Sequence, residues 1–181
     1  MHEEVPAITG KTVHMLKIFV NLSVDRQGAD AFALSIEPQD VPVVRLPGIK
    51  VRVPLGSFGG ARSPLRPPTD ARLMDISLEE GGELSVPVLA RHAAFIMPIY
   101  GMSEIAGQAF DANDPRLPVF PAQAATHEIL LKAWAGGAKV VLFSGVPSRQ
   151  PVHWQGPMAL ASAEALTASV AAYQRGEFGT L

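Results

Sequence analysis

The sequence predicts an all-β domain, a sandwich or barrel, closed by a single amphipathic helix near its C-terminal end. Three observations predict it. Sixteen Pro and 16 Gly punctuate the 181 residues every few positions, as in sheet proteins with many turns. Between them lie short runs in which apolar and polar residues alternate, the two-residue period of a half-buried strand. One stretch alone, near the C-terminus, carries a helical period. Short strands with turn residues in each gap favour a sandwich or barrel over a parallel α/β sheet.

Taken in order, Val13 to Leu22 reads as a strand with Leu16, Ile18, Val20 and Leu22 on one face. Asp25 to Asp40 is polar, carries Gly28, Glu37-Pro38 and Asp40, and reads as a linker ending in a turn. Ile49 to Leu55 alternates with Lys50 and Arg52. Arg72 to Leu78 places Met74, Ile76 and Leu78 inward against Leu73, Asp75 and Ser77. Phe95 to Tyr100 and Ile129 to Trp134 follow, and Val140 to Phe143 forms a buried run. Glu79-Glu-Gly-Gly-Glu83 and Ala135-Gly-Gly-Ala138 are turn sequences between strands. Ser162 can cap a helix whose first turn holds Glu164, favourable to the dipole. Leu166, Val170 and Tyr173 make its apolar stripe, and Gly176 supplies a stop.

Composition excludes several functions. Apolar residues make up 48%, enough for a sizeable core at this length, while charged residues reach only 18% and the net charge is −2. Lys and Arg are scattered singly, so neither nucleic acid nor an anionic membrane is expected as a partner. Two Trp and two Tyr are too few for a base-stacking platform. The absence of Cys removes disulfides, thiolate metal sites and thiol nucleophiles. Met1-His2-Glu3-Glu4 lacks the basic flank and apolar run of a signal peptide. No apolar run approaches the roughly 18 residues of a membrane span. Cytoplasm is the expected location.

Of the five histidines, His2, His14, His92, His127 and His153, no two stand at the spacing of His-x-His or His-Glu-x-x-His. A lone histidine in a β protein is more often a packed structural residue than a ligand, and His14, His92, His127 and His153 are read so. His2 and Glu4, two apart, would project from one face of an extended segment, where an imidazole and a carboxylate could reach one divalent ion. Spacing alone favours a solvated terminus over a ligand pair, and catalytic sites normally hold a metal by three or more ligands. Ser144-Gly145 lacks the flanks of a nucleophile elbow. Gly56-Ser-Phe-Gly-Gly60 lacks the ending of a phosphate loop and reads as a turn. Glu79, Glu80 and Glu83 read as a solvated turn rather than a paired acid and base.

The C-terminal half carries a recognisable order of residues. Phe143-Ser-Gly-Val-Pro-Ser-Arg-Gln-Pro-Val-His-Trp-Gln-Gly-Pro157, followed by Ser162, Glu164, Tyr173 and Gly176-Glu-Phe-Gly179, resembles the ending of pirin-family proteins. There a Gly-Glu-Pro-Leu…Glu-Pro-Val…Gly-Pro-Phe loop leads to a capped helix and a final Gly-x-Phe-Gly. This sequence departs at Val146, where the family usually has Glu, and at Met158, where it has Phe. His14-Met-Leu-Lys-Ile-Phe-Val-Asn-Leu22 is similar to the family's His-Gly-Leu-Gln-Leu-Trp-Val-Asn-Leu strand.

The resemblance implies a cupin, a double-stranded β-helix barrel, and a chain that keeps one of the family's two barrels. It implies residues 1–24 as remnant strands of an N-terminal cupin, 25–40 as linker, and 41–181 as the C-terminal cupin-like domain with its helix. In the family the first barrel binds iron or a related divalent metal through His-x-His-x-Gly and a later His-x-Glu. His2-Glu-Glu-Val-Pro6 is similar to the latter, so His2 and Glu4 look like the third and fourth ligands, the first two lying in a segment that this chain lacks. The C-terminal barrel of the family is normally metal-free. Between Gly82 and Gly101, where a metal-binding cupin would place His-x-His, stand Val86-Pro-Val-Leu-Ala-Arg-His92.

Some pirins resemble quercetin 2,3-dioxygenases, and others act through protein contacts. Oxygen chemistry needs a metal with open positions. The expectation is therefore a non-catalytic pirin-like barrel, a binding or interaction module with no cofactor of its own. The alternative is a quercetinase-type dioxygenase whose missing ligands come from upstream or from a partner chain. A small-molecule pocket inside the barrel is a third expectation. The Val13–Leu22 strand, left with an unpaired apolar edge, would pair with another chain and give a homodimer; a protein partner is a further expectation.

Overall fold

The computed structural model describes residues 15–179. The chain divides into two compact units: Ala31–Pro147 forms one, and the described residues up to Asp30 form the other together with those from Ser148 onward.

The larger unit is wholly antiparallel. Its strands are β1 (Val43–Leu46), β2 (Ile49–Leu55), β3 (Ser57–Phe58), β4 (Ala61–Arg62), β5 (Ala71–Leu78), β6 (Glu83–Val88), β7 (Ala93–Ile105), β8 (Gln108–Phe110), β9 (Val119–Phe120) and β10 (His127–Gly145). The main path runs β1-β2-β5-β10-β7-β8, with β6 added on β10 and β9 on β7, while β3 and β4 form a separate hairpin. The expected strand Ile49–Leu55 is β2, and Arg72–Leu78 lies within β5. Glu79–Glu83 makes the expected turn: the Gly82 N–H donates to the Glu79 carbonyl at 2.9 Å.

The two strands expected at Ile129–Trp134 and Val140–Phe143 are one strand, and Ala135–Ala138 is not a turn. Between the pairs Ala133↔Ser103 and Ala138↔Gly101, β10 advances five residues while β7 advances two. The surplus bulges out through Gly136 and Gly137, both at positive φ, and the strand continues in a new direction. Before the bulge β10 pairs with β6, after it with β5, and β7 accompanies it from Leu131 onward. Two sheets thus share their longest strands. The bulge also reverses the phase of the strand. Ile129, Leu131 and Ala133 face the core before it; Ala138, Val140 and Leu142 do so after. These side chains meet Val51, Val53, Met74, Ile76, Val86, Val88 and Ile96 in one apolar cluster that occupies the interior.

The smaller unit holds the hairpin β11 (His153–Gln155) and β12 (Met158–Leu160) and the helix α1 (Ala163–Gln174). Ser162 is the N-cap, its Oγ accepting from the Ala165 N–H at 3.1 Å, and Glu164 lies in the first turn. Leu166 is buried, Val170 half-buried, and Tyr173 sets its ring 6.2 Å from that of Phe178. The Gly176 N–H donates to the Tyr173 carbonyl at 3.0 Å beyond the last turn.

Of the expected strand Val13–Leu22, the first two residues lie outside the described residues, and Met15–Leu22 pairs with no strand among the described residues. Alternation specifies a face, not a partner. Here side-chain amides take the place of a ladder: Gln27 and Gln150 both donate to the Leu22 carbonyl, at 2.8 and 2.7 Å, and the Val24 N–H donates to Gln150 Oε1 at 3.1 Å. The Phe19 ring lies 4.9 Å from that of Trp154. Among the described residues no helix is long and apolar enough to cross a membrane.

Candidate functional site

At one end of the larger unit the interior rows stop being apolar. Arg72 heads the row that continues as Met74, Ile76 and Leu78 on β5, and Ser144 ends the row of Val140 and Leu142 on β10. The two are cross-strand partners, and Ser144 is likewise opposite Ala94 on β7. His92 precedes β7 in the row of Ala94 and Ile96, and His127 opens β10 opposite Val88. Arg72, His92 and Ser144 are buried.

Arg72 ties this end together. Its Nη1 donates to the Pro87 carbonyl on β6 and its Nη2 to the Ser57 carbonyl on β3, both at 2.8 Å. A guanidinium out of water needs such partners, because a buried cation without acceptors is costly. Gly56 lets the side chain pass: a Cβ there would stand 2.7 Å from Arg72 Cγ. Burial pushes the Arg72 pKa down from its usual value, and the negative charge of Asp70 opposes that shift. Beside it, Ser63 Oγ donates to the Pro54 carbonyl at 2.6 Å and accepts from the Leu65 N–H at 3.1 Å, fixing the chain after the β3–β4 hairpin. His92 Nε2 stands 3.2 Å from Asp70 Oδ2. Arg72 Nε, His92 Nδ1, Ser144 Oγ and both His127 ring nitrogens have no hydrogen-bond partner among the described residues.

This end can hold and orient a polar group. Among the described residues no base is set against Ser144 Oγ. Nor does the donor set of this end fit a metal: no group of three or more His, Asp or Glu side chains among the described residues could hold one. Val86 and Val88, in the segment where a metal-binding cupin would carry ligands, are fully buried in the apolar cluster. His2 and Glu4 lie outside the described residues. His92 and His127 come to the polar end, whereas His153 is exposed on β11. Glu83 pairs with Lys132 at 2.6 Å and Glu80 accepts from the Gly136 N–H, so this acidic turn is engaged at the surface. Arg72 went unread in the sequence. Its signal was there: in the alternation of β5 it stands on the inward row, where a charge demands partners.

The family model described as the pirin C-terminal cupin domain matches residues 73–179. A pirin-like protein of Arabidopsis thaliana is 23% identical over 94% of this chain and 57% of its own length. Pirin of Rattus norvegicus is 23% identical over 99% of this chain and 61% of its own. The chain thus spans about three-fifths of the length of the curated relatives it matches. A crystal structure of quercetin 2,3-dioxygenase from Acinetobacter baumannii superposes with a TM-score of 0.80 at 20% identity, covering 89% of this chain and 55% of that one. The likeness to that structure is one of fold, and the fold is cupin-type.

Proposed function

We propose that this chain, which belongs to the pirin family through its C-terminal cupin domain, is a binding or interaction module that does no catalysis by itself. One observation carries the reading. The barrel interior is built from packed apolar side chains, with Val86, Val88, Ala94 and Ile96 occupying the inward rows of β6 and β7. A wall of that kind offers a cation no ligand. Its polar groups are gathered instead at the Arg72 end, where donors rather than nucleophiles predominate.

Metal content of the purified protein tests this. Substoichiometric iron, nickel and copper, unchanged by His2→Ala, is the expected result, with no quercetin-dependent oxygen uptake. The name of the Acinetobacter structure favours a second reading, a quercetin 2,3-dioxygenase-type enzyme whose ligands are completed by an upstream segment or a partner chain. One tightly held ion per chain, lost on His2→Ala together with oxygen uptake, would establish it in place of the first.

The module reading includes self-association. Met15, Phe19 and Val24 are 57%, 55% and 67% exposed, bare apolar side chains close in sequence that a partner surface would cover. Light scattering on the eluting protein should give twice the chain mass, and Phe19→Glu with Val24→Glu should return it to the monomer. A monodisperse monomer in the unsubstituted protein removes the dimer.

A further inference from the structure

A recess of about 460 Å³ opens beside the β3–β4 hairpin, lined by Phe58, Gly59, Gly60, Arg62, Arg72 and Pro87 with Ser57. Two of these residues are cationic and none is acidic. Arg62 is exposed and makes no ion pair among the described residues. Arg72 is only 5% exposed, and its two terminal nitrogens are committed to carbonyl oxygens while Nε–H keeps no partner among the described residues. Carbonyl dipoles compensate a buried positive charge only in part, which leaves the site suited to an anion. Asp70, the carboxylate that acts on Arg72, is itself 71% exposed and engaged with His92.

The other walls say what kind of anion. Phe58 and Pro87 are apolar, and Pro87 has no N–H to offer. The hairpin turn is Gly59-Gly60, and nothing lies within 4 Å of where a Gly60 side chain would begin, so the mouth is not filled by a side chain. Most binding pockets combine such apolar walls with a few placed polar groups.

We propose that this recess binds a small organic carboxylate, its charge balanced by Arg62 at the mouth and Arg72 behind it, and its carbon body resting on Phe58 and Pro87. This deepens the binding-module reading and rests on it, but the two fail on different measurements: metal content and oxygen uptake decide the first, direct titration of the recess the second.

Benzoate is the probe, followed by amide NMR and by calorimetry on the whole chain, with benzyl alcohol and inorganic phosphate as comparators. Benzoate should move the resonances of residues 57–62 saturably. Arg62→Ala, at an exposed position that leaves the fold intact, should weaken its affinity at least about tenfold, the loss of one charge-assisted contact. No saturable shift, an Arg62→Ala affinity equal to that of the unsubstituted protein, or benzyl alcohol binding as well as benzoate would each overturn the site. Phosphate binding as tightly as benzoate would overturn its assignment to an organic acid.

Discussion

Gly101→Ala should cost about 4–5 kcal/mol of unfolding free energy, the range reserved for backbone collisions and comparable to the whole stability of a marginal domain. Gly101 lies in β7 at φ +72, and a Cβ built on it would stand 2.1 Å from the Gly137 carbonyl oxygen and 3.1 Å from Ala138 Cα. Those obstacles are main chain of the neighbouring strand, so no rotamer change relieves them. Gly136→Ala separates the collision from the strain of positive φ alone. Its φ is +84, yet nothing lies within 4 Å of its would-be Cβ, so its cost is the left-handed penalty of roughly 1–2 kcal/mol. Urea unfolding followed by circular dichroism compares the two, and equal midpoints would refute the argument.

Leu142→Ala should be the next largest loss, about 2–5 kcal/mol by lost burial and the cavity left behind. Leu142 is opposite Met74 on β5 and Ile96 on β7, and all three are fully buried. Neither neighbour can move into the gap without leaving its own strand register. Leu130→Ala, on the same strand but 47% exposed, should change stability by less than about 0.5 kcal/mol. Similar losses for the two variants in the same denaturant series would mean that the interior relaxes around Leu142.

These sites show what could be read from the chain and what could not. Ile49–Leu55 and Arg72–Leu78 were legible because alternation over seven residues encodes both strand and face. The helix was legible from its cap, since Ser162 and Glu164 act within one turn of themselves. Ala135–Ala138 was not. Two glycines between apolar runs are the mark of a hairpin turn, and only pairing with β7, whose own Gly101 yields at the same level, turns them into a bulge. That information lies more than 30 positions away in the sequence. Met15–Leu22 is the opposite case, with a strand's pattern but no strand beside it among the described residues. Of the polar end, the histidines were noticed singly. Arg72 was passed over because partners that justify its burial, Ser57 and Pro87, come from two other strands.

β10 is the last strand of its unit and the common neighbour of β5, β6 and β7. A nascent chain made only as far as Phe120 therefore holds β6 with nothing to bond to and β5 with one flank bare. Such edges wait exposed while the ribosome adds the final segment, and foreign strands compete for them in that interval. Synthesis order thus makes residues 127–145 the keystone: the vault stands only once they have been laid.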